Sequence, residues 1–182
     1  MLLEGNYIEA MKCEKLIQIL HNSSVPLSVK LGNCKFGYGG IGVIIHKDCE
    51  IGDHVNIGSN VTLGGGKKFV DAKGGNRSVP IIEERVYIAT GAKIIGGVTV
   101  GNHSIIGANS VVINDIPPFS VVVGVPGKII NTINEENIGN YCSYLYKGLS
   151  LSDCKKAMFG KSKQGNWFYL NKIESSSLST SL

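Results

Sequence analysis

The sequence has little of what usually announces a function. No run of about 20 apolar residues occurs, so no membrane span is expected. The first residues lack a basic segment followed by an apolar core and a small-residue cleavage site. No signal peptide is read there, and the expected location is the cytoplasm. Charge of one sign is weak: the net value is +4, and Lys and Arg are scattered, which gives no reason to expect a nucleic-acid partner. No CxxC occurs. The five cysteines (Cys13, Cys34, Cys49, Cys142 and Cys154) are odd in number and irregular in spacing. Free thiols in a reducing compartment are expected, and no zinc site. Hydrophobic residues make up 43% and charged residues 18%, which is ordinary for a globular chain, and 182 residues suggest one domain.

What the sequence does have is 24 glycines, mostly between Gly32 and Gly127, punctuated by aliphatics at a fixed interval. Steps of six from Ile45 meet Ile51, Ile57 and Leu63. Steps of six from Ile82 meet Ile88, Ile94, Val100, Ile106 and Val112. Four residues after each aliphatic stands a small or β-branched one: Cys49, Val55, Val61, Val86, Ala92, Val98, Ser104, Ser110. A strand repeats every two residues and a helix every three or four, so a period of six is neither. It fits a short strand plus a turn on each side of a triangular coil, three to a coil, stacked as a parallel β-helix. The first aliphatic points inward, and each such burial stabilises by about 1.5–3 kcal/mol. The residue four later fills a corner and must be small.

The repeat breaks once, between Leu63 and Ile82, where 65–80 reads as a loop extruded from the coil. Long insertions in a regular solenoid are commonly functional. The ends differ from the middle. Residues 7–21 show helical apolar spacing, so 1–24 is read as a helical segment. The solenoid then occupies 25–130, beginning with an irregular coil and closing with the Pro-punctuated stretch 117–130. Residues 131–182 form a C-terminal extension, in which Trp167, Phe168 and Tyr169 suggest packing and 174–182 suggest disorder.

Four segments, GIGVIIH (40–46), IGDHVNIGSNVTLGG (51–65), YIATGAKIIGGVTVGNHSIIGANSVVINDIPP (87–118) and SVVVGVPGKII (120–130), resemble the hexapeptide-repeat acyltransferases, in particular the serine acetyltransferase branch. The resemblance covers roughly 36–130. It implies a left-handed parallel β-helix, a homotrimer with active sites between neighbouring solenoids, and acetyl-CoA as co-substrate. The family pattern places acetyl-CoA on the small residues Ala89, Thr90, Gly91, Ala92, Gly107 and Ala108, with Lys128 of the GVPGK segment near a phosphate. Two departures stand out. Serine acetyltransferases usually carry an Asp-His pair where Tyr38 and Gly39 stand. Their loop usually reads GGDRHPKI where this one reads GGNRSVPII, so Arg77 is kept and Ser78 replaces a His. Arg77 is then a candidate for a two-point grip on a substrate carboxylate, with Tyr38 a second substrate contact. Short relatives of this kind often modify sugars of surface polysaccharides, which adds a sugar to the acceptor classes.

Acetyl transfer to a hydroxyl needs a base near neutrality, and histidine suits that. His21 reads as a surface residue at a helix end. His54 and His103 recur at one turn position, GDHVN and GNHSI, as solvated turn residues would. His46 takes the place of a turn glycine after the strand GVII and is the candidate base, with Asp48, Tyr38 or Asp71 as orienting groups. Cys49 and Cys34 are weaker candidates for a nucleophile. The expected function is an acetyl-CoA-dependent O-acetyltransferase acting on a hydroxyl of a small molecule or sugar. Serine O-acetyltransferase proper and a non-catalytic, CoA-binding trimeric scaffold are the alternatives. A zinc hydratase of this fold needs three histidines on one metal, and His46, His54 and His103 lack that family's spacing.

Overall fold

A computed structural model describes residues 4–67, 69–70 and 76–160. The chain forms two compact units, Met1–Ile133 and Asn134–Leu182. The first begins with the helix Glu4–His21 and continues as a solenoid of very short strands stacked into three sheets. One sheet stacks Lys30–Leu31, Glu50–Ile51, Ile81–Ile82 and Thr99–Val100. The second stacks Lys35–Phe36, Asn56–Ile57, Tyr87–Ile88, Ile105–Ile106 and Ser120–Val123. The third stacks Ile44–Ile45, Thr62–Gly64, Lys93–Ile95 and Val111–Val112. Within all three sheets these strands run parallel. Ser120–Val123 then turns back on Lys128–Thr132 as an antiparallel hairpin, which ends the stack.

The register shows why the period is six. Ile45, Leu63, Ile94 and Val112 lie one above another, as do Ile57, Ile88 and Ile106. These inward positions, together with the corner residues Val55, Val61, Val86, Ala92 and Val98, are 0–2% exposed and form one continuous core. Ile88 and Ile106 are 18 positions apart, whereas Ile57 and Ile88 are 31 apart, so 13 extra residues enter the coil between them. They fall in the insertion, part of which is described. Phe69–Val70 pairs antiparallel with Asn76–Arg77.

Two corner columns carry left-handed backbone. Asn60 (φ 56) and Asn109 (φ 56) alternate along one of them with Gly42 (φ 68) and Gly91 (φ 76). A Cβ on Gly91 would collide with Oδ1 of Asn109, so a glycine under each asparagine leaves room for its amide.

The N-terminal helix forms as expected, but it is not clearly two-faced. Tyr7, Ile8, Met11, Leu16, Ile19 and Leu20 are all more than half exposed. Among the described residues no helix is long and apolar enough to cross a membrane.

The second unit contains the turn Ile138–Asn140 and the helices Cys142–Leu145 and Leu151–Phe159. Ser150 caps the latter by accepting from the Asp153 amide at 3.2 Å. Cys142 and Cys154 are disulfide-bonded, which corrects the expectation of five free thiols. Cys13, Cys34 and Cys49 are free. Their spacing gave no sign of the pair, because the bond joins two short helices that no repeat relates. Residues 167–169 and 174–182 lie outside the described residues.

Candidate active site

The candidate residues divide between two corners of the triangular coil. The first lies between the second and third sheets. A ladder of backbone hydrogen bonds runs along it. Gly42 N donates to His21 O at 2.9 Å, Asn60 N to Ile41 O at 2.8 Å, Gly91 N to Ser59 O at 2.9 Å and Asn109 N to Thr90 O at 3.0 Å. Thr90 and Ala108 are exposed on this column, and Ala89, Gly91 and Gly107 are half-buried. Thr90 Oγ1 lies 3.3 Å from Ser59 Oγ. Small side chains along such a column leave room for an extended ligand to approach the backbone. Ala92 does not belong to this surface. It is 0% exposed at an inward corner, so its side chain packs the core. Gly107 faces inward to the next coil, where a Cβ would meet Val123 Cγ1 at 2.8 Å. Lys128 is exposed on the closing hairpin.

Tyr38 and Gly39 lie at the start of the same corner. Tyr38 is 80% exposed with φ 52, an unusual conformation for a bulky residue. Beside Gly39 stands His21. A Cβ on Gly39 would lie 3.4 Å from His21 Cε1 and 3.6 Å from its Nδ1. The sequence assigned His21 to the surface, and only the coil geometry brings it here.

The second corner lies between the third and first sheets, at the foot of the inserted ribbon. His46 ends the strand Ile44–Ile45, with its amide donating to Leu63 O at 2.8 Å. Its Nδ1 accepts from the Asp48 amide at 3.3 Å and lies 3.7 Å from the Asp48 carboxylate. A neutral ring whose Nδ1 accepts carries its proton on Nε2, so in this arrangement His46 presents a donor. A base at Nε2 would first require Nδ1 to exchange the Asp48 amide for the carboxylate. The ring faces Gly65, where a Cβ would sit 3.9 Å from Nε2.

Arg77 stands at the same corner. Its Nη2 donates to Gly97 O at 3.1 Å and to Thr99 Oγ1 at 2.7 Å, and its Nε is buried without a partner. Each two-point edge of a guanidinium includes Nη2. While these bonds hold, the expected two-point grip on a carboxylate is not open, and Arg77 ties the ribbon to the coil beneath. Replacing Arg77 with alanine is expected to loosen this foot. Hydrogen exchange at the Gly66 and Gly97 amides, which bond Ser78 O and Lys67 O, should quicken at least tenfold. Unchanged protection would show that the backbone holds the ribbon alone.

The remaining histidines and cysteines fall away from both corners. His54 is half-buried at a turn. His103 is not a solvated residue: it is 5% exposed and stacks on Phe119 at 5.2 Å between ring centroids. Burial first, and the charge of Arg85 second, lower its pKa to about 4. Burial pushes Cys49 and Cys34 up to about 11, so neither thiol is an activated nucleophile. Among the described residues no three metal-ligating side chains are grouped to hold an ion.

Residues 80–114 match the bacterial transferase hexapeptide family model of six repeats. The chain is 50% identical over 91 residues to a serine acetyltransferase of Bacillus subtilis, covering 50% of this chain and 40% of that one. Among solved structures it resembles serine acetyltransferase of Brucella abortus in complex with coenzyme A. There the TM-score is 0.60, with 30% identity over 72% of this chain and 50% of that one. It also resembles the Neisseria gonorrhoeae enzyme in complex with serine, with TM-score 0.59 and 28% identity over 70% and 50%. The chain spans about half the length of the curated relatives it matches. Its repeat and three-sheet solenoid thus carry the bacterial transferase hexapeptide pattern over residues 80–114, and the chain is similar to serine acetyltransferases over about half of their length.

Proposed function

We propose that this chain is an acetyl-CoA-dependent O-acetyltransferase on a left-handed parallel β-helix, that it works as a homotrimer, and that serine is its acceptor. The observation that carries the reading is the first corner column. There Thr90, Gly91 and Ala108 form a narrow track of small residues with hydrogen-bonding backbone on either side. Relatives whose structures hold coenzyme A or serine support the donor and the acceptor. The pantetheine arm lies along this track, and exposed Lys128 meets a phosphate of the nucleotide end. In a trimer, each cleft can receive the first corner from one protomer and the second from its neighbour, so that His46 and Arg77 face a ligand held on Thr90.

The reaction is direct transfer. The acceptor oxygen attacks the thioester carbonyl carbon as an imidazole takes its proton, and a backbone N–H in the glycine-rich turns stabilises the oxyanion. The C–S bond then breaks, and the thiolate takes the proton back. His46 belongs to this site as an imidazole at the ribbon foot. With Nδ1 on the Asp48 amide, as it stands, it donates from Nε2 to a ligand oxygen; only an exchange of Nδ1 to the Asp48 carboxylate would turn it into a base. Tyr38 contacts the acceptor.

Thiol release from acetyl-CoA tests the reading, with serine, other amino acids, simple sugars and nucleotide sugars offered in parallel. Turnover with serine above every other acceptor is expected. Turnover with a sugar alone would move the protein to carbohydrate modification. Tight CoA binding with no thiol release from any acceptor would leave a scaffold.

A further inference from the structure

We propose that His21, delivered from the end of the N-terminal helix, is the general base of the acyl transfer. The proposal rests on the acetyltransferase reading and adds to it the residue that moves the proton.

Three observations carry it. His21 Nδ1 is buried and has no hydrogen-bond partner. An orphaned ring nitrogen is costly, and native proteins keep few such groups without a use. The ring is also fitted to the turn beside it. Gly39 is exposed, His21 is half-buried, and a Cβ at 39 would touch the imidazole in ordinary contact, 3.4 Å from Cε1 and 3.6 Å from Nδ1. The imidazole therefore stands directly beside the place that a side chain at 39 would take. This is the position where the resembling enzymes usually carry a histidine and this chain does not. Finally, the main chain of His21 is anchored at the head of the column that bears Thr90 and Ala108. Its carbonyl accepts from Gly42 N at 2.9 Å and from Ser23 Oγ at 3.1 Å, and Ser23 Oγ also donates to Gly40 O at 2.6 Å. His46 stands at the other corner, and its Nδ1 is already engaged.

In the reaction, His21 takes the proton of the acceptor hydroxyl on Nε2, its buried Nδ1 carrying the ring proton, as the new C–O bond forms. The C–S bond breaks with its electron pair on sulfur, and the imidazolium returns the proton to that sulfur. Ester and free thiol are the products, and no further reactant is consumed.

The test uses the full chain with acetyl-CoA and its best acceptor, comparing His21→Gln, His46→Ala, Gly39→His and His21→Ala/Gly39→His. His21→Gln is expected to lower kcat by roughly 10²–10⁴-fold with acetyl-CoA affinity kept, and to abolish the acid limb of the kcat/KM pH profile. His46→Ala is expected to lower turnover through its lost ligand contact but to keep that limb. Gly39→His alone should impair the enzyme by crowding His21. In the His21→Ala background it should restore at least tenfold, since histidine tolerates left-handed φ here, as His54 and His103 do at φ 57. If His21→Gln retains turnover, or if the acid limb disappears with His46 instead, the assignment is wrong while the acetyltransferase reading stands. If the wild-type chain releases no thiol with any acceptor, the function fails and the assignment falls with it.

Discussion

Replacing Gly58 with valine is expected to destabilise the solenoid by about 3 kcal/mol and to abolish CoA binding. A Cβ on Gly58 would stand 2.6 Å from Thr90 N, 2.9 Å from Ala89 C and 3.0 Å from Thr90 Cα. All three are backbone atoms, and that backbone is the turn on which the pantetheine arm is proposed to lie. No side chain can swing aside to relieve the contact. The turn itself must move, against the bond from Gly58 N to Ile88 O at 2.8 Å and the core position Ile88. Valine is worse than alanine because both of its methyls sit on Cβ. Gly58→Ala should therefore cost less, and Gly37→Ala, whose Cβ would find only ordinary contacts at 3.5 Å and beyond, should cost little. Urea midpoints followed by circular dichroism give the stability ranking, and calorimetry with CoA gives the binding loss. A Gly58→Val protein as stable as the wild type would mean that the coils can part at this corner, and that the track has no rigid floor.

The same contact shows what was legible in the sequence and what was not. The hexad register was legible because it is a one-dimensional signal: Ile45, Leu63 and Ile94 are inward for the same reason, at multiples of one period broken by one insertion. Ala92 was misread because its motif spans a turn and a corner, and only burial separates Thr90, which faces solvent, from Ala92, which does not. The site was less legible still. His21 and Gly39 are 18 positions apart, one full coil, but His21 belongs to a helix whose sequence carries no hexad, so no repeat arithmetic connects the two. The partner of Arg77 was illegible for a different reason. Retention of an arginine says that a guanidinium is wanted, not whether its partner is a ligand or the carbonyl of Gly97. A histidine in a turn motif was likewise silent on burial. His54 and His103 hold the same repeat position, yet Phe119, placed by the closing segment, covers only the second.

His103 should make the fold acid-sensitive well above the range where carboxylates titrate. Its ring is neutral in the native state, held near a pKa of about 4 by burial and then by the positive charge of Arg85, against an ordinary value of 6.5. Between these two values the unfolded chain binds the proton and the native chain does not, so protons favour unfolding. The contribution is complete above pH 6.5, declines as pH falls, and is exhausted near pH 4. At about 1.4 kcal/mol per unit, the loss between pH 7 and pH 5 is about 2 kcal/mol. His103→Asn isolates the effect. Asparagine accepts the left-handed backbone that His103 adopts at φ 57, as Asn60 and Asn109 do at φ 56, and it does not titrate. The variant gives up the stack on Phe119 and should be less stable than wild type at pH 7. Its stability should nevertheless fall by about 2 kcal/mol less than that of the wild type on going to pH 5. Urea unfolding at the two pH values measures both differences. Parallel losses in the two proteins would mean that the ring protonates without leaving its stack, and that the acid sensitivity of this solenoid has another source.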